Sequence, residues 1–433
     1  MKRKMWLIPL ALLLTISLVA IGCPAPPPEE EAPPTPAPAP NPPAKDKIVI
    51  GASRPLSGPY AAIGDAALKP IMELFEEEVN AEGGIYLKDY GKKLPIEFLV
   101  YDDKSDTGTM TRLTEKLILE DKVDFLWPAC GTSFLFAQAP IANKYGYVLV
   151  TAEGGATTIK DALPGLPYVF VTLSFSDNYE LPVLADMLAA KGAKTAYIIY
   201  IADLHGIEYS GVASIEFGRV GIEIVGLKSI PPDLQDYSPI IKEAQAANAD
   251  VFCAFCYPWM VLPATEQSIA LGFNPKAWIG GPGANFGYYP LTFGNEGVDG
   301  VSCFAVANSK TSPEMKELFD KIEALVGPAN LDWWGQPLYW GALCQFWKQA
   351  VEMAGNTDQD VLREIVATQH FNTILGDTYF EIFSGGGGIM AKESHPGEIG
   401  QFQNGVCEIV GGGDWPNTVL TADFVYPKPP FPK

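Results

Sequence analysis

Lys47-Ile48-Val49-Ile50-Gly51 is an apolar run closed by a glycine, and it reads as a buried strand. An amphipathic stretch follows, with Ile71, Leu74, Phe75 and Val79 on one helical face. Asn80-Ala81-Glu82-Gly83-Gly84 stops it, as glycine commonly ends helices. Pro70 must lie in that helix's first turn or kink it. Residues 95–102 predict the next strand, and Met110, Leu113 and Leu117 mark a second helix. Residues 123–129 predict a third strand, 134–145 a third helix and 147–151 a fourth strand. Strands that are apolar almost throughout, separated by amphipathic helices, imply a parallel sheet covered on both faces.

The pattern then restarts. Strands are predicted over 195–201, 223–230, 249–256 and 277–281, with helices over 206–219, 239–247 and 260–271 between them. Two sets of strand–helix units suggest two similar lobes, and no short period points to a solenoid. Residues 313–326, 337–354 and 358–369 also look helical. They are too many for the second lobe alone, so part of the chain is expected to return to the first. Gly385 to Gly388 reads as a plain surface loop, and residues 401–410 as a late strand.

Upstream of the first strand the chain changes character. Lys2, Arg3 and Lys4 precede an uncharged apolar run from Trp6 to Ile21. That run is short for a spanning helix, which needs about 20 residues, and suits a signal peptide. It ends in Ala20-Ile21-Gly22-Cys23, similar to a bacterial lipobox, with Cys23 as the residue to be lipidated. Ala20 stands where the box usually has leucine. The alternatives are an uncleaved anchor or an ordinary secretory signal, and all three place the body outside the cytoplasm. Residues 24–44 hold 11 prolines, a composition that favours extended polyproline II and reads as a stiff tether.

Composition removes several function classes. With 433 residues and 48% hydrophobic content, the chain can build two or three domains with real cores. Lys and Arg total 30 against 51 Asp and Glu, a net charge of −21, so nucleic acid is not an expected partner. Three histidines give a metal site little to build on, and no cofactor or metal is expected.

Several motifs in order resemble one family. These are Pro55-Leu56-Ser57-Gly58-Pro59-Tyr60-Ala61 with Gly64, Val79-Asn80-Ala81-Glu82-Gly83-Gly84-Ile85, and Tyr101-Asp102-Asp103. Ala139-Pro140-Ile141-Ala142, Tyr145-Gly146-Tyr147-Val148 and Ala270-Leu271-Gly272-Phe273 follow. Their order and spacing resemble the type 1 periplasmic binding proteins of the leucine/isoleucine/valine-binding branch, which serve ABC importers. The resemblance runs from about Asp46 to Val410. It implies an α/β fold of two Rossmann-like lobes joined by three crossovers, with a ligand cleft between them. The crossovers are expected near residues 171–173, 302–305 and 374–379. The resulting division is 1–22 signal peptide, 23–45 lipidated cysteine and linker, 46–172 with 303–374 first lobe, and 173–302 with 375–433 second lobe.

In open α/β sheets ligands bind outside the carboxyl ends of the strands. Cys130-Gly131-Thr132-Ser133 lies between a strand and a helix, where free N–H groups and hydroxyls suit a carboxylate. Plain helix capping is the alternative. The resemblance implies ligand roles for Gly131, Thr132 and Ser133. It implies the same for the loop holding Glu153, Gly154 and Thr157, and for Tyr257 as an aromatic cover. His205 either faces the cleft, where it could respond to pH near 6.5, or sits in a surface turn. Trp340 is either a cleft wall or core, as are Trp333 and Trp334. Amino-acid-binding members carry an acid for the ligand ammonium where Pro282 stands here. Either Glu153 substitutes, or the ligand is an aromatic or aliphatic acid without an amino group. Ser105 stands where the family often has a cysteine paired with the one matching Cys130, so that disulfide is not expected. Cys253 and Cys256 should point to opposite faces of their strand as buried small hydrophobes.

The function implied is a membrane-anchored extracytoplasmic lipoprotein, expected as a monomer, that delivers a small carboxylate-bearing ligand to ABC permease subunits by hinge closure. A ligand-sensing module for a membrane receptor or kinase is the alternative; the absence of a signalling domain before Lys433 weakens it. No G-x-S-x-G, H-E-x-x-H or P-loop motif appears, so catalysis is not expected.

Overall fold

The computed structural model describes residues 45–152, 157–172, 180–391, 393–394, 398–412 and 418–432. The signal peptide, Cys23, the proline-rich linker and the ligand-loop residues Glu153 and Gly154 lie outside the described residues.

In the first lobe, Ile48–Arg54 runs parallel to Ile96–Asp102 on one side and to Phe125–Leu126 on the other. Ile48, Ile50 and Ala52 enter one core, while Val49 packs against a second. Both faces are therefore covered, which is why the strand carries no polar alternation. A second sheet, ordered Phe380–Ile382, Gly388–Met390, Val169–Val171 and Leu149–Thr151, shares both cores. The predicted helix appears as Lys69–Ala81, with Pro70 in its first turn and Ile71, Leu74, Phe75 and Val79 buried. The third strand is shorter than expected. Trp127 N–H still reaches the Gly51 carbonyl, but Pro128 has no N–H with which to extend the ladder.

The second lobe is one seven-stranded sheet. Glu223–Ile230, Thr195–Ile201, Val251–Phe255, Ala277–Gly280 and Ser302–Ala305 are parallel in that order, and Glu398–Gln403 and Val406–Gly411 add an antiparallel edge. Cys253 and Cys256 enter different cores, on opposite faces as expected. All six cysteines of the described residues are buried, and none of them forms a disulfide.

Strand membership runs first lobe, second, first, second, so the chain passes between lobes three times. The first passage joins Thr172 to Glu180; Leu173, where it was expected, lies outside the described residues. The second follows Ala305 directly. The third differs from expectation. Residues 374–379 contribute to a hairpin of Phe371–Thr373 with Gly376–Thr378, and Gly388–Met390 then pairs with Val169–Val171 of the first lobe. The passage therefore falls between Ala391 and Glu398, and residues 375–391 belong with the first lobe's strands. Two further readings need correction. Residues 401–410 are not one strand, because Asn404 and Gly405 both take positive φ (53° and 82°) and reverse the chain as a two-residue hairpin turn. Gly388 is not surface loop but the buried start of a strand.

Candidate functional site

The site forms where strand ends from both lobes meet. Arg54, buried at the end of the first strand, donates to the carbonyls of Pro128 (3.1 Å) and Gly64 (3.4 Å), tying the 128–131 loop to the 55–64 loop. Asp102 accepts from Leu56 N, Ser57 N and the Ser57 hydroxyl, and these bonds hold its carboxyl below the usual range despite some desolvation. Ser105 donates to the Ser57 carbonyl and accepts from Tyr60 N. Ser105 thus braces the loop presenting Tyr60.

The helix Thr132–Tyr145 opens on Gly131, whose φ of 102° favours glycine; a Cβ there would lie 3.2 Å from the Tyr60 ring. The start of this helix borders a cleft lined by Gly131 and Thr132, with Tyr60 and Leu68 also from the first lobe. The second lobe supplies His205, Tyr209, Tyr257, Pro282 and Asn285. Asp332 and Trp334 complete it from a first-lobe segment laid against the second: Trp333 N–H donates to the Asn285 carbonyl, and Gly287 N–H to that of Leu331. About 40 Å³ is open to the centre of a water-sized sphere, where one water takes roughly 10–15 Å³. Mouth included, the empty space is ≈ 580 Å³. No lysine or arginine lines it among the described residues.

Tyr60 closes the front. Its ring meets Tyr257 at 5.1 Å and Trp259 at 5.2 Å, both edge-on and both across the lobes, and its hydroxyl donates to Asp203 at 3.4 Å. Asp203 also caps the helix Leu204–Arg219 by accepting from Gly206 N. Burial raises the Asp203 pKa, with the hydrogen bonds opposing. Behind them Tyr257 stacks on His205 at 5.0 Å.

The expected site residues divide as follows. Gly131, Thr132, His205 and Tyr257 come together in the cleft. Ser133 is half-buried in the helix's first turn and is not among the cleft's lining residues. Thr157 begins the short helix Thr157–Asp161, and its side chain lies outside what is described. His205 is no surface histidine: it is 4% exposed, and burial pulls its pKa down to about 3, so it does not titrate near 6.5. Trp340 is not a wall of the cleft. It packs edge-on to Phe75 at 6.2 Å in the first-lobe core, and Trp334 faces the cleft instead. A π-helical turn at Trp340–Gln345 makes register from sequence unreliable here.

Sequence reasoning missed Tyr209, Asn285 and Asp332 as site residues. Tyr209 lies four residues after His205 on one helix face, a usable signal. Asn285 lies three residues after Pro282 in the loop that follows the strand Ala277–Gly280, a place where a cleft residue is expected. Asp332 lies in irregular chain between helices and gives no signal.

Comparison with known proteins fits this architecture. The model of the family described as periplasmic binding protein matches residues 47–388. The chain belongs to the periplasmic binding protein family. Within it, the chain is 25% identical over 297 residues to a Leu/Ile/Val-binding protein homolog of Brucella abortus, spanning 65% of this chain and 70% of that one. A solute-binding protein of an ABC transporter from Rhodopseudomonas palustris, solved with benzoate, superposes with a TM-score of 0.71 at 21% identity, covering 87% of this chain and 98% of that one. A branched-chain amino acid transporter substrate-binding protein from Streptococcus pneumoniae, solved with isoleucine, gives 0.69 at 19% identity, covering 84% and 100%.

Proposed function

We propose that the chain is the extracytoplasmic substrate-binding lipoprotein of an ABC importer and that it binds one small carboxylate-bearing ligand by closure of its lobes. The observation that carries this reading is the cleft itself: aromatic and apolar walls from both lobes, and a helix N-terminus opening onto it at Gly131 and Thr132. The positive end of the helix dipole suits a carboxylate, and the apolar walls suit the rest of a hydrophobic amino acid or an aromatic acid. The related proteins solved with isoleucine and with benzoate support the same range. Closure makes the Tyr60 contacts across the lobes, and the closed form is what permease subunits recognise. Cys23, lipidated, holds the body at the membrane. The residues serve binding and not turnover.

A thermal-shift screen of leucine, isoleucine, phenylalanine, benzoate and 4-hydroxybenzoate tests this. A ligand at 100 times its Kd adds about 2.7 kcal/mol of stability. Thr132→Val should abolish the shift while leaving the unliganded melting point nearly unchanged. An equal loss without ligand assigns Thr132 to helix structure alone. Cys23→Ala should release the chain from the membrane fraction. Turnover of an ester and amide panel would contradict the reading.

A further inference from the structure

The cleft's second-lobe side carries polar atoms that the helix N-terminus does not explain. Asn285 is fully buried. Its side-chain N–H donates to Asp332 at 2.6 Å, and its backbone carbonyl accepts from Trp333 N–H at 3.1 Å. The bond to the carboxylate fixes the amide's orientation, because the reverse flip would set two acceptors against each other. Oδ1 of Asn285 is thereby left without a donor among the described residues, on a side chain that lines the cleft. Leaving a buried acceptor unsatisfied is costly.

Asp332 lies beside it, 1% exposed. Its carboxylate accepts from Asn285 and from the N–H groups of Trp334 (3.0 Å) and Gly335. No cation pairs with it among the described residues. Burial raises its pKa to about 6, so near neutral pH it is mostly ionised and uncompensated. An acceptor lacking a donor and a carboxylate lacking a cation thus share one wall. Aromatic walls nearby, Tyr60, Phe286 and Trp334 among them, add their own affinity for a cation.

We propose that Asn285 and Asp332 together receive a cationic N–H group of the ligand, replacing from a different segment the acid that Pro282 displaces. The selected ligand carries an ammonium as well as a carboxylate, and acids lacking nitrogen are poor ligands. A quaternary ammonium does not satisfy Asn285 Oδ1, since it has no N–H. This rests on the proposed binding role of the cleft.

Titration calorimetry on the full chain tests the pairs L-leucine with 4-methylpentanoate and L-phenylalanine with 3-phenylpropanoate, with glycine betaine as the quaternary probe. The amino acids should bind on the order of 100-fold more tightly than their nitrogen-free partners. Asp332→Asn should erase most of that ratio by weakening the amino acids, while the nitrogen-free acids change by less than about threefold. Asn285→Ala should cut the ratio by about tenfold and serves if Asp332→Asn does not fold. Equal affinity for both members of a pair, tighter binding of betaine, or loss of the ratio in Glu153→Gln with Asp332→Asn unaffected overturns the assignment. Binding of no probe from any set takes down the underlying binding role, and this inference with it.

Discussion

Replacing Tyr60 should separate lobe closure from folding. Of its three edge-on ring contacts, Phe134 at 5.4 Å lies in its own lobe, while Tyr257 and Trp259 lie across the cleft. Each such pair contributes about 0.5–1.5 kcal/mol beyond area burial, so the two crossing pairs contribute about 1–3 kcal/mol to the closed form only. The hydroxyl's long bond to Asp203 adds about 0.5–1.5 kcal/mol. Tyr60→Leu should therefore weaken ligand binding by about 1.5–4.5 kcal/mol, at least about 13-fold at 1.36 kcal/mol per decade. Tyr60→Phe, which loses only the hydroxyl, should cost about tenfold or less. Calorimetry gives the affinity and thermal melting of the unliganded chain gives the fold stability. The melting point should fall only by what the Phe134 contact is worth. A Tyr60→Leu chain with unchanged affinity and a sharply lower melting point would refute the reasoning, because the ring would then be holding the first lobe together.

Other expectations concern single residues. Gly131→Ala forces φ near 102° on a side chain and brings a Cβ against Tyr60, so binding should fall at least about tenfold with a stability loss of about 1–3 kcal/mol, read by calorimetry and melting. Asp332 has a folded pKa near 6 against an ordinary 3.8, so its ionisation opposes folding: that cost is absent below about pH 4 and complete above about pH 6. Unliganded wild type should therefore lose more stability than Asp332→Asn as pH rises from 4 to 7, by at most about 3 kcal/mol in urea melts; parallel curves would contradict this. His205 stays neutral down to about pH 3, so affinity should show no break near pH 6.5 that His205→Gln removes. Trp340→Phe should lower the melting point and spare affinity. Trp334→Phe, which loses the indole bond to Glu180 at 2.7 Å, should lower affinity more.

Much of the fold was legible because its strands are buried on both faces. Thr195–Ile201 lies where its apolar run predicted, and the fully buried Val251–Phe255 falls within the predicted 249–256. Misreadings came where a local signal was outweighed or overlooked. Pro128 cut a strand that hydrophobicity would have extended, and the Asn404-Gly405 pair, a strong hairpin signal, was passed over inside an apolar run. The third passage was misplaced because a hairpin and a returning strand leave no periodic mark of which sheet they join. In the site, the glycine–threonine helix start was readable from type and position. Trp340 was not, since a tryptophan facing a core and one facing a cleft have the same sequence signature. Asp332 reaches the cleft only through contacts between segments far apart in sequence, such as Asn285 with Trp333, which no spacing encodes.

The claim on which the rest depends is that ligand draws two separately built lobes together. Small-angle scattering of the chain, with and without a saturating probe identified by the thermal screen, measures this directly. A smaller radius of gyration in the bound state, lost in Tyr60→Leu at concentrations that saturate the wild type, is the predicted result. Full binding with an unchanged scattering profile would contradict it.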